Sequence, residues 1–133
     1  MSPGRVLRLA CLCALGMVAC SRTDKDVFDG SYSGDGVDSQ SASNVKEFTL
    51  NLSSSGSVVS GTYTIKAVIL DTSGSVSGTL SGADLTLTLT PGPGVSDCPY
   101  RISGAWEKGK ISGTYLAFNC FVRSDGALTL KKR

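Results

Sequence analysis

The chain contains no histidine. A serine triad, a cysteine–histidine pair and an imidazole metal site are therefore excluded at once. Helical periodicity is missing too: after residue 27 no stretch repeats apolar residues at helical spacing over a useful length. Phosphate loops set between a strand and a helix fail for want of the helix. An excess of charge is also lacking. Arg5 and Arg8 belong to the first nineteen residues, and without them the 13 lysines and arginines fall level with the 11 acidic residues. Bulk charge thus gives no case for nucleic-acid binding. Serine-rich "SQSAS" (39–43) offers hydroxyls with no base to activate one, and reads as loop. No cofactor motif is present, and the chain reads as non-catalytic.

What is present begins with an address. Arg5 and Arg8 precede an uncharged apolar run from Leu9 to Ala19, the parts of a secretory signal. The run is too short for a stable transmembrane helix, which needs roughly 20 apolar residues. It ends in Met17-Val18-Ala19-Cys20. This ending resembles the lipobox of bacterial lipoproteins, with Met17 where that family usually has leucine. The resemblance implies a signal peptide over 1–19, lipid on Cys20, and a polar tether, "SRTDKD", completing 20–26. Each buried acyl methylene contributes about 0.8 kcal/mol, and one chain holds only marginally, so the family's two or three chains make a stable anchor. Ser21 in the sorting position implies the outer membrane. The expected location is the bacterial cell envelope, and the first partner is the membrane itself.

The rest, 27–133, is one domain. Alternation with period two runs through "KEFTLNLS", "DLTLTLT" and "GALTLKK". Strands are predicted over 27–33, 45–53, 57–69, 75–81, 84–90, 99–107, 110–122 and 127–132. Turn signals at 53–56, 71–74, 81–84, 107–110 and 124–127 separate them, with Gly-Ala, Lys-Gly and Asp-Gly centring the last three as tight hairpin loops. Two prolines in "PGPGVSD" (91–97) take the chain out of the sheet. "VSGTY" (59–63), "VSGTL" (76–80), "ISGAW" (102–106) and "ISGTY" (111–115), with "FDGSY" (28–32) as a fifth relative, each place a glycine on the apolar face. Inward glycine permits sharp coiling. The fold class expected is all-β, a small antiparallel up-and-down barrel of about eight strands, with a two-sheet β-sandwich as the rival.

These glycine-aromatic strands, the meander and the size are similar to avidin-type and lipocalin-like barrels. No biotin-binding residue carries over, since Trp106 is the only tryptophan. By parity Phe28, Tyr32, Tyr63, Tyr100, Trp106, Tyr115 and Phe121 look inward, as core or as the lining of a ligand cavity. Trp106 is expected at the centre beside Leu50, Leu87 and Tyr115, with inward Asn119 a polar partner for the buried rings. Asp29, Asp35 and Asp38 offer oxygen ligands for calcium, although their spacing is not that of an EF-hand and Asp-Gly runs are ordinary turns. Cys98 and Cys120, an even pair in an exported domain, are expected to form a disulfide. With Lys108-Gly109 as a two-residue turn, unbroken register sets Cys98 against Asn119. One extra residue near Ala117 to Asn119, a β-bulge, brings the cysteines together. The functional expectation is a lipid-anchored, non-catalytic binding module for a small apolar ligand or a partner protein, the alternative being a structural, envelope-maintenance lipoprotein with a filled barrel.

Overall fold

The computed structural model describes residues 27–67, 71–93, 98–120 and 124–133. Cys20 with its tether, and Phe121, lie outside the described residues. The elements are β1 (Gly30–Asp38), β2 (Val45–Ser55), β3 (Val58–Lys66), β4 (Asp71–Ser81), β5 (Asp84–Pro91), β6 (Tyr100–Glu107), β7 (Lys110–Ala117) and β8 (Asp125–Lys132). Each strand pairs antiparallel with the next, and β8 returns to β1 through Tyr32↔Lys132 to Asp38↔Gly126. That last pairing closes the barrel and excludes the sandwich. Closure also leaves no strand edge open to another chain.

The alternation read from sequence sorts the side chains. Leu50, Leu87, Leu89, Ile102, Ile111 and Leu130 have no solvent exposure, while Glu47, Asn51 and Ser53 of β2 face out. A barrel crossing a membrane by its strands carries an apolar outer band. Here the outer wall of β5 is Thr86, Thr88 and Thr90. The outer face of β5 is polar, and the core is inside.

Two hairpin turns follow the expected chemistry. Lys108 (φ 48°) and Gly109 (φ 77°) both take positive φ, and Gly82 (φ 61°) does so ahead of Ala83. The register across β6 and β7 is as expected, with Trp106↔Ile111, Gly104↔Gly113 and Ile102↔Tyr115.

Other boundaries are corrected. "DTSG" is no turn: Asp71 pairs with Lys66 and Gly74 with Tyr63, inside a continuous β4. Asp125-Gly126 is likewise inside β8, opposite Leu116 and Tyr115. β1 extends to Asp38 rather than ending at 33, and β7 stops at Ala117. In "DTSG" and in Asp125-Gly126 a glycine was taken for a turn when it serves close strand approach. Gly61, expected within a strand and found there, makes the same kind of approach. A Cβ there would stand 1.8 Å from the carbonyl oxygen of Asn51 on β2. Gly61→Ala must therefore push two paired strands apart, and it should lower stability by about 1 to 3 kcal/mol. Gly92, whose nearest such contact is 3.6 Å, should accept alanine with little change. Urea midpoints of the two variants check this ordering.

Candidate functional site

The meander gives the barrel two unlike ends. One carries the three tight hairpins (55–58, 81–84, 107–110), the start of β1 and the end of β8. The other carries the loops after β1, β3, β5 and β7.

At the hairpin end, residues 27–29 cross the opening. Phe28 packs edge-on against Trp106, ring centroids 5.7 Å apart at 75°, and lies 6.0 Å from Tyr32. Trp106 Nε1 donates to Tyr32 Oη at 2.8 Å, and Tyr32 donates to the Phe28 carbonyl. Burial raises the Tyr32 pKa, against the lowering effect of the Trp106 hydrogen bond. Asp29 Oδ1 accepts from the Ser54 backbone N–H and hydroxyl, each at 2.9 Å. Trp106 is thus only half-buried and belongs to this cap, not to the centre beside Leu87 and Tyr115. Its polar partner is Tyr32, and Asn119 is exposed. Both corrections have one physical cause: an indole N–H settles where a hydroxyl is within reach, at the edge of the packed interior.

At the loop end, Tyr100, Tyr115 and Phe48 pack together. Phe48 lies 5.2 Å from Tyr115 and meets Tyr100 edge-on at 6.4 Å. Behind these rings sits a buried ionic group that the sequence reading missed. Lys46 and Asp38 both point inward, each 6 % exposed, with Nζ 3.7 Å from Oδ2. The Lys46 ammonium also lies 5.7 Å from the Tyr115 ring centroid. Asp38 accepts from the Gln40 backbone N–H (2.9 Å), Asn44 Nδ2 (3.1 Å) and the Ser124 hydroxyl (3.2 Å). The Gln40 bond leads in holding its carboxyl below the usual range, over the opposing effect of burial. Burial, with the Asp38 charge second, pushes Tyr115 up to about 12. Asp38 is therefore ionised and Tyr115 protonated at neutral pH, and neither is poised to exchange a proton there. The signal for Lys46 was available: in "VKEFTLNL" it shares the parity of Phe48 and Leu50.

Tyr32, Tyr63, Tyr100 and Tyr115 are buried as expected, but Tyr32 packs at the hairpin end and Tyr100 with Tyr115 at the loop end, while Tyr63 lies within β3 opposite Leu50. The calcium triad is not assembled. Asp29 is tied to Ser54 at the hairpin end, Asp35 points outward, and Asp38 is engaged inside the loop end. Alternation along β1 sends Asp35 and Asp38 to opposite faces.

Cys98 and Cys120 form a disulfide, with Cα atoms 5.6 Å apart. The β6–β7 ladder ends at Tyr100↔Ala117, and Phe118 N–H still donates to the Pro99 carbonyl at 3.0 Å. Asn119 then turns left-handed, φ 52°, and takes up the extra residue. The offset thus lies just beyond the ladder's end and not within a strand. Closing a loop of this separation, 22 residues, contributes roughly 3 kcal/mol through lost chain entropy.

A depression of about 670 Å³, open to solvent, lies where β1, β8 and β7 meet near the loop end, lined by Val37, Thr114, Leu116 and Ala127 among others. Among the described residues no cluster of histidine, cysteine and carboxylate suits a metal ion. No family model matches the chain, and no curated protein matches it.

Proposed function

We propose that this chain is a lipid-anchored, non-catalytic protein of the bacterial cell envelope, attached to the outer membrane, that works through the outside of a filled barrel. Such a protein meets a partner protein or serves the envelope structurally; it does not enclose a small apolar ligand. The packing of the described interior supports this reading. Among the described residues, aliphatic side chains without solvent exposure occupy the middle, and aromatic side chains pack against one another at each end. Interiors packed in this way leave no room for a guest without displacing their own side chains. The anchor rests on the Met17-to-Cys20 ending and on the basic, then apolar, residues before it.

Native mass spectrometry of the protein purified from envelopes tests both halves. The expected species begins at lipidated Cys20 and holds no other small molecule. Cys20→Ala should remain an uncleaved precursor without palmitate label. A co-purifying apolar compound would overturn the filled-barrel reading, and undiminished palmitate labelling of the variant would overturn the anchor.

A further inference from the structure

Most of the outer wall is threonine and serine, so a pair of like charges set face to face on it stands out. Lys110 on β7 lies directly opposite Lys131 on β8, both exposed. Like charges in that relation destabilise a sheet, and a neutral residue at either position would relieve it. Lys108 occupies the adjoining turn, and Lys132 and Arg133 continue past Lys131. These last residues are held to the barrel. Lys132 N–H donates to the Gly109 carbonyl at 2.7 Å, and Arg133 N–H to the Ser31 carbonyl at 2.8 Å. Three carboxylates share this end and offset the group only in part: Glu107 lies opposite Lys110, and Asp29 and Asp84 lie nearby, against the five cations Lys108, Lys110, Lys131, Lys132 and Arg133.

A separate observation says what lies beneath this rim. The chain enters the barrel at the same end, where the Val27 carbonyl accepts from Lys132 Nζ at 2.7 Å. The tether, 20–26, spans at most about 25 Å when fully extended. An anchor on Cys20 therefore keeps the basic rim close to the bilayer, at a high effective concentration of headgroups.

We propose that Lys108, Lys110, Lys131 and Arg133 rest on anionic phospholipid headgroups of the membrane that holds the anchor, while Lys132 ties the entering chain to the barrel. The barrel then stands with its hairpin end down and its disulfide-bearing loop end outward. This inference depends on the lipid-anchor reading of Cys20. Each cation close to an anionic surface strengthens binding about fivefold, so removing two weakens it about thirtyfold.

Trp106 is the chain's only tryptophan and belongs to the hairpin end, so it reports the contact without a label. The lipidated protein, its lipid first verified by mass, is placed in vesicles doped with lipid bearing a nitroxide on the headgroup. Strong quenching of Trp106 is expected with phosphatidylglycerol present and weak quenching in pure phosphatidylcholine, where the anchor still holds. Lys110→Gln with Lys131→Gln should relieve the quenching, as should salt near 1 M, where the screening length falls to about 3 Å. Lys66→Gln, at the opposite end, should not. Lys131→Gln alone, which removes the repulsion and leaves Glu107 opposite Lys110, should melt no lower than the parent. Quenching equal in both vesicle types, or unmoved by the double variant, overturns the proposal. Failure of the anchor reading shows separately, as a Cys20 that carries no lipid.

Discussion

Phe48→Ala is expected to lower the free energy of unfolding by about 3 to 5 kcal/mol, the usual range for a buried aromatic cut back to alanine. Phe48 has no solvent exposure and packs on both Tyr100 and Tyr115. Its ring also lies against β1, since a Cβ on Gly36 would come within 2.6 Å of Phe48 Cε1. Collapse into the resulting space is opposed by a wall hydrogen-bonded all the way round. Small domains have only about 5 to 15 kcal/mol in total, so a sizeable unfolded fraction should appear in mild urea. Trp106→Ala, at the half-buried cap, should cost less than Phe48→Ala. Midpoints from urea titration decide it, and a Phe48→Ala midpoint equal to the parent's would remove the residue from the core.

Asp38→Ala should be comparably damaging for an electrostatic reason. It leaves the Lys46 ammonium at the barrel mouth with its carboxylate gone. Breaking one side of a fully buried ion pair typically costs about 3 to 5 kcal/mol, and this pair, beside the open depression that Asp38 also lines, should fall toward the lower end. The Asn44 amide and the Ser124 hydroxyl lose their acceptor as well. Adding Lys46→Met should restore much of the loss, because the uncompensated charge is then removed with its partner. A double variant no more stable than Asp38→Ala would show that the charge is not what matters. The sign with pH follows from the lowered Asp38 pKa. Its stabilising contribution is complete above the ordinary carboxylate range, near pH 4, and fades as pH falls through the depressed folded-state value. Between pH 5 and 8 this group should leave the melting temperature unchanged. The acid limb below pH 4 should shrink in the Asp38→Ala variant.

Much of this was legible because strand alternation is a local property. The inward set of Leu50, Leu87, Ile102 and Tyr115 follows from parity alone, and the β6–β7 register follows from a two-residue Lys-Gly turn. Parity also held Lys46, yet a lysine beside Val45 and Glu47 reads as wall until Asp38 is placed across from it. Nothing local places it there, since the two residues meet through the β1–β2 pairing. The calcium reading failed for the same kind of reason. Three nearby aspartates look like a cluster until the strand carrying them sends two to opposite faces.

The sequence by itself determined the class, the alternation, the hairpin order and the pairing of Cys98 with Cys120, because each depends on residues close in the chain or on the two cysteines within the folded domain. Only the tertiary structure decided that the meander closes, since the β1–β8 pairing joins the two ends of the domain and no local signal encodes it. Closure in turn settled which glycines are turns and which are points of strand contact, for that depends on how near the next strand passes. It also brought Trp106 to Phe28 and Tyr32 at the cap, while the pairing of neighbouring strands brought Asp38 to Lys46 and set Lys110 beside Lys131. Each of these is a contact between residues on different strands, which alternation along one strand cannot place.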